Sequence, residues 1–282
     1  MLLKASPRND FSDRSSSSST QISYSTPISF RTAFENSLYT PGHRTGYFYA
    51  GIEADQVTES ATTRVPFNLA LVIDRSGSMA GDKLYYVKEA ARRLIDDLGP
   101  DDYLSLIVYD DVVDVLQAAS PVRNKTLLRN KINAIFERGN TNLCGGALEG
   151  YRQVSRVYNP HALNRVLLLS DGLANRGITQ TGLISAQVEE QLHRQHISIS
   201  TFGVGLDYNE DLMTRMAERG NGNYYFISRP ADIPELISNE LNGMQQQVVH
   251  NLQVRFRIPD AMHVDEVIGA SYTRNGMWLE CR

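Results

Sequence analysis

The 282 residues read as an α/β protein: a doubly wound, mostly parallel sheet with one antiparallel edge strand, joined to a small accessory β-sheet built from the two flanks. Three observations carry this. Short apolar runs recur at PFNLALVI (66–73), LNRVLLLS (163–170) and ISISTFGVG (197–205), the kind of strand that is buried on both faces. Helical spacing fills the gaps between them, so strands and helices alternate and right-handed crossovers over a covered parallel sheet are expected. The stretch DYLSLIVYDDVVDVLQ (102–117) folds back at Asp110-Asp111 as a hairpin, which adds the antiparallel edge strand.

Taken in order, residues 1–45 are polar and Ser-rich. They are expected to form a tail or linker, with the first two dozen residues, Ser15 to Ser19 among them, unable to offset the entropy of ordering. GYFYAGIEA (46–54) reads as an aromatic-rich strand. After strand 66–73, the positions Leu84, Val87, Ala90, Leu94, Ile95 and Leu98 mark a helix that Gly99-Pro100 stops. Asp82 falls in its first turn, where a negative charge suits the helix dipole. Asp101-Asp102 and Asp110-Asp111 read as turn residues. Helical patterns span 123–137, 143–157 and 181–195. Asp207 is expected to cap a further helix with Glu210 closing a capping box. NYYFI (223–227) and the helix 230–244 complete the main domain, 66–245. Beyond it, Leu252, Val254, Phe256 and Ile258 alternate with polar residues as in a half-buried strand, and AMHVDEVIGA suggests another. Segments 46–65 and 246–282 are thus expected to supply the accessory strands, possible members of an incomplete β-sandwich.

Composition narrows the function. A net charge of −4 without a Lys/Arg cluster argues against nucleic acid and anionic membrane as partners. No apolar run approaches the roughly 20 residues of a membrane helix, so membrane insertion is not expected. The two cysteines, Cys144 and Cys281, form no CxxC. They fit a reducing compartment, with one long-range disulfide left open. MLLKASPRND lacks the apolar core of a signal peptide. A cytoplasmic location is therefore expected, and an extracellular or envelope location stays open if the chain is a fragment.

The informative stretch is FNLALVIDRSGSMAGDK (67–83). A buried-looking strand ends in one carboxylate and two hydroxyls at alternate positions: Asp74, Ser76 and Ser78. Ligands of open α/β sheets sit beyond the carboxyl ends of the strands, where strand order reverses. Asp171 ends the 163–170 strand in the same way. If the two strands are neighbours, the carboxylates converge, and Thr141 in RGNTNLCGG can reach the same point. Two carboxylates and three hydroxyls make an all-oxygen set of the kind hard divalent cations choose. Mg²⁺ fits it, with Mn²⁺ and Ca²⁺ open. Because hydroxyls bring no charge, such a site would leave the ion attractive to an outside carboxylate.

DRSGSM, the Thr of GNTNL and the Asp of LLLSDG resemble the metal-ion-dependent adhesion site of von Willebrand factor A (VWA) domains. GVGLDYNEDLMTRMAERGNGNYYFI (203–227) is similar to the late strand–helix–strand of that family. The resemblance covers about 66–245 and comes nearest to bacterial stand-alone members and the inter-alpha-trypsin-inhibitor heavy-chain branch. It implies a Rossmann-like fold in which Ser76, Ser78 and Thr141 coordinate Mg²⁺ or Mn²⁺, and Asp74 and Asp171 act directly or through water. The sixth position would take an Asp or Glu from a protein partner, which makes the chain a binding module for adhesion or scaffolding and not an enzyme. Two other readings are weighed. A Mg²⁺-dependent phosphoryl hydrolase would use Asp74 as nucleophile, but Ser76 stands where that chemistry needs a general acid. A purely stabilising metal would change melting without recruiting a partner. His193 and His196 straddle a helix end and read as favourable C-terminal charge. Cys144 reads as a small packed side chain, with a redox-sensing thiol beside the metal as its alternative.

Overall fold

The computed structural model describes residues 2–7, 28–34, 46–54, 64–171, 174–205, 209–245, 254–259, 262–270 and 272–281. In chain order the elements are β1 (Leu2–Pro7), β2 (Ile28–Phe34), β3 (Gly46–Ala54), β4 (Phe67–Asp74), α1 (Asp82–Asp97), β5 (Tyr103–Tyr109) and β6 (Val113–Pro121). Then come α2 (Lys125–Asn133), α3 (Leu143–Arg156), β7 (Leu163–Ser170), α4 (Thr181–Gln195), β8 (Ser198–Val204), α5 (Glu210–Arg219), β9 (Tyr224–Ile227) and α6 (Ile233–Gln245). The chain ends with β10 (Val254–Arg257), β11 (Met262–Ile268), β12 (Tyr272–Asn275) and β13 (Trp278–Cys281). Two compact units result. One is Thr63–Gln246, and the other combines Met1–Thr62 with Gln247–Arg282.

The first unit is built on a six-stranded sheet of order β6-β5-β4-β7-β8-β9. All its pairings are parallel except β5–β6, so β6 is the antiparallel edge strand. The chain leaves β4 toward β5 on one side and later returns to β7 on the other. That reversal puts the carboxyl ends of β4 and β7 side by side, in register from Phe67↔Leu163 to Ile73↔Leu169.

Alternation along β4 feeds two cores. Leu69, Leu71 and Ile73 join the apolar cluster containing α1, α2 and α6, while Ala70 and Val72 join the one containing α3, α4 and α5. Every residue of β4 is buried, as a strand covered on both faces requires. Asparagine side chains start three of the helices. Asn124, Asn142 and Asn209 each accept the backbone N–H three residues on, from Leu127, Gly145 and Leu212, satisfying an otherwise orphaned donor. The cap of α5 is therefore Asn209, where the sequence suggested Asp207. Glu210 stands in the first turn, and Asp207 itself lies outside the described residues.

The second unit differs from expectation in two ways. The stretch expected to be an unstructured tail contains two strands. β1 pairs antiparallel with β11 and β3, and β2 pairs with β3 along its whole length. Partners distant in sequence supply the ladder that local composition does not announce. The Ser15–Ser19 run lies outside the described residues. The accessory strands also form two sheets, of order β11-β1-β3-β2 and β10-β13-β12, where a single small sheet or an incomplete β-sandwich was expected. Phe48 and Phe256 meet edge-to-face with ring centroids 5.6 Å apart, and both pack on a small core of Ile258, Val264, Leu279 and Cys281.

Candidate metal centre

Asp74 ends β4 fully buried. Its Oδ1 accepts the Ser76 amide at 2.8 Å and its Oδ2 accepts the Ser170 hydroxyl at 2.6 Å. The first bond is local and tightens the turn out of the strand. The second ties β4 to the last residue of β7. The Ser76 and Ser78 hydroxyls lie 3.1 Å apart, and Ser78 donates to Asp171 Oδ1 at 2.8 Å. A continuous chain of oxygen-bearing groups thus runs Ser76–Ser78–Asp171, with Asp74 beside it. Lys83, in the first turn of α1, donates to the other oxygen of Asp171.

Thr141, also buried, arrives on a loop held by backbone bonds. Arg138 N donates to Arg75 O at 2.7 Å and Gly77 N to Gly139 O at 3.2 Å, so this loop is stitched to the one bearing Ser76. Thr141 N donates to Asn175 Oδ1 at 2.9 Å, and its carbonyl accepts the Asn175 and Arg176 amides. The loops bearing Ser76 and Ser78, Thr141 and Asp171 therefore meet beyond the carboxyl ends of β4 and β7.

Burial pushes the Asp74 carboxyl up to about 6. Bonds from Ser170 and Ser76 pull it back, and the charge of Asp171 adds to the rise. A paired, water-poor set of carboxylates is the environment a cation relieves. All donors are oxygen, so the residues fit a hard divalent ion. The same burial, with the Asp74 charge next, raises the phenol of Tyr109, the β5 residue in register with Asp74.

Sequence reasoning missed the polar frame around this centre. Arg75, the unspecified residue inside the Asp-x-Ser-x-Ser motif, is buried and bonds Asp110 Oδ2 at 2.7 Å and Asp114. Arg138 reaches the same pair at 2.6 and 3.1 Å. Burial alone would raise the Asp110 carboxyl, but the Val112 amide and the two guanidiniums outweigh it and hold it low. Asp110 does make the expected turn bond to Val112 N at 2.9 Å, yet through Arg75 and Arg138 it also anchors the loops that bear Ser76 and Thr141. Asp111 joins Asn140 Nδ2 at 2.8 Å and Arg176 at 2.9 Å. A carboxylate pair at a hairpin tip signals a turn and says nothing about distant partners. Asp102 was likewise read as a turn residue. It is fully buried and accepts from Arg64, Phe67 N and Gly99 N, at 2.7–2.8 Å.

The remaining candidates behave as ordinary structure. His193 lies in the last turn of α4, 3.7 Å from Glu189, and His196 ends that helix at φ 54°. Cys144 is buried and free, and burial raises its thiol, the opposite of what an activated thiol needs. Cys281 is also free and buried. No helix among the described residues is long and apolar enough to cross a membrane.

Comparison with known proteins places this geometry. The von Willebrand factor type A domain profile matches residues 68–239. Protein YfbK of Escherichia coli (strain K12) is 29% identical over 196 residues, 69% of this chain and 34% of its own length. Human inter-alpha-trypsin inhibitor heavy chain H3 is 29% identical over 197 residues, 67% of this chain and 22% of its own. The chain thus spans only about a third or less of these relatives. Among solved structures, a von Willebrand factor type A protein from Catenulispora acidiphila superposes with TM-score 0.65 at 15% identity, over 91% of this chain and 57% of that one. Proximal thread matrix protein 1 from the mussel byssus, in a structure with a zinc-occupied MIDAS motif, gives 0.55 at 14% identity, over 69% and 50%. Identities this low speak to the fold. With that profile covering more than half of the chain, this chain belongs to the von Willebrand factor type A domain family.

Proposed function

We propose that the chain is a divalent-metal-dependent protein-binding module, with Mg²⁺ as the physiological ion and a partner's Asp or Glu as its ligand. Ser76, Ser78 and Thr141 would supply uncharged hydroxyl ligands, and Asp74 and Asp171 would act directly or through water. When bound, the ion supplies a Lewis-acidic position that a foreign carboxylate can fill. The chain's own residues do the rest. Ser170 and the Ser76 amide fix the Asp74 carboxylate, and the chain's own backbone bonds hold the 138–141 loop to the 75–77 loop. Such preorganisation lowers the ordering needed on binding. The observation that supports this reading most is the contact chain Ser76–Ser78–Asp171 beside Asp74. It joins the motif of one strand to the end of its neighbour.

Binding is favoured over catalysis because Ser76, bonded to Ser78, holds the place where a phosphoryl hydrolase reading needs an acid. The test is retention of peptides displaying Asp or Glu on the immobilised chain, in Mg²⁺ and in EDTA. Binding that needs Mg²⁺ and disappears in a folded Thr141→Ala variant is expected. Equal retention in EDTA overturns the proposal.

A further inference from the structure

Lys83, in the first turn of α1, brings a positive charge to the proposed site. Its ammonium donates to Asp171 Oδ2, while Oδ1 of the same carboxylate accepts Ser78. The Asp171 side chain is fully buried and that of Lys83 is 31% exposed. The position is prepared from the opposite side as well. At Gly205, just past β8 and at φ +100°, a Cβ would stand 3.2 Å from Lys83 Cε and 3.3 Å from Nζ. An added Cβ would crowd the end of the Lys83 side chain by a few tenths of an ångström, and the positive φ itself favours glycine there.

The surrounding charges cancel in groups. Arg75 and Arg138 face Asp110 and Asp114, and Arg176 faces Asp111. Asp74 and Asp171 remain, and a divalent ion would neutralise both. Lys83 is then left as the positive charge bonded directly to the site, with Asp82 beside it in sequence but exposed to screening by solvent. Resting on the reading of Asp74, Ser76, Ser78, Thr141 and Asp171 as the cation site, we infer that Lys83 is a built-in counter-charge. It occupies part of the cation's electrostatic role in the metal-free protein, loosens the site's hold on its divalent ion, and turns the loaded site into a net-positive receptor selective for anionic ligands. Metal and acid would then bind with positive coupling, each strengthening the other.

The experiment is calorimetric titration of the EDTA-stripped full chain with MgCl₂ and, by luminescence, with TbCl₃. Lys83→Met and Lys83→Gln should bind Mg²⁺ about tenfold or more tightly than wild type, since a like charge close to the ion is removed. The gain should be larger for the trivalent ion. Lys83→Arg, which keeps the charge, should stay near wild type. The Gln variant keeps a donor for Asp171 and so separates charge from position. Unchanged or weaker Mg²⁺ binding in folded Met and Gln variants overturns the inference. Equal gains for Mg²⁺ and Tb³⁺ do so too, because repositioning of Asp171 would not follow ionic charge. If wild type and variants alike take up no Mg²⁺, the cation-site reading falls and this inference with it. Equal uptake by all overturns only the role given to Lys83.

Discussion

Asp74→Asn should stabilise the metal-free domain while disabling it. Asn keeps the size of the side chain, an acceptor for the Ser76 amide and a polar group facing Ser170, but removes the buried charge. The rise of the Asp74 carboxyl from 3.8 to about 6 corresponds to about 3 kcal/mol, at about 1.36 kcal/mol per tenfold change in proton affinity. The folded state holds this proton more tightly than the unfolded chain does. The associated stability is therefore full below pH 3.8 and is lost as pH rises through about 6. Without metal, the variant should exceed wild type by up to about 3 kcal/mol at pH 8, and the two should converge near pH 4. In Mg²⁺ the gap at pH 8 should close, because only wild type gains from mass action, about 2.7 kcal/mol at a hundredfold excess over Kd, and it should reverse at a thousandfold excess, where the gain is about 4.1 kcal/mol. Urea unfolding followed by circular dichroism at 222 nm suits the test, since all the described α-helices lie within Thr63–Gln246. Tryptophan fluorescence does not, because the chain's one Trp, Trp278, belongs to the other unit. A variant no more stable than wild type in EDTA, or an advantage equal at pH 4 and pH 8, would refute the reasoning.

Two further outcomes test the scaffold. Asp102→Ala should lower stability by about 3 kcal/mol, chiefly by orphaning the Phe67 and Gly99 amides rather than by freeing the half-exposed Arg64. Urea midpoints read at 222 nm check it, and a loss below about 1 kcal/mol would contradict it. Glu240, on α6, accepts from Arg165 and Ser200 through one oxygen and from Asn223 and Tyr225 through the other. Burial raises its carboxyl, but Arg165 and the other donors win and hold it below its ordinary 4.5. Its contribution is therefore full above pH 4.5 and lost below it. Wild type should lose stability over that acid range more steeply than Glu240→Gln, and parallel pH profiles would argue against the network.

Much of the fold was legible because burial on both faces writes itself into sequence. The runs at 66–73 and 163–170 needed no partner information, and the Asp110-Asp111 break announced the edge strand. The motif residues were legible for the same reason: polar groups at the ends of such runs have few structural uses. What stayed hidden depends on distant partners. β1 and β2 are strands through their pairing with β11 and β3, and their own composition reads as linker. The β12–β13 hairpin did carry a local signal: Gly276, at φ +61°, opens the two-residue loop Gly276-Met277 between the paired Asn275 and Trp278, and a glycine at the first loop position suits such a turn. Reading the tail only for alternation passes over it. Arg75, Lys83 and Asp102 could not be found, because a lone charge in sequence does not name the partner that buries it.

The central claim is tested most directly by titrating the EDTA-stripped chain with MgCl₂ in a calorimeter, beside Asp74→Ala and Thr141→Ala. One Mg²⁺ per wild-type chain, with uptake lost in both folded variants, is the expected result. No uptake by wild type, or the same uptake by all three, would contradict the account.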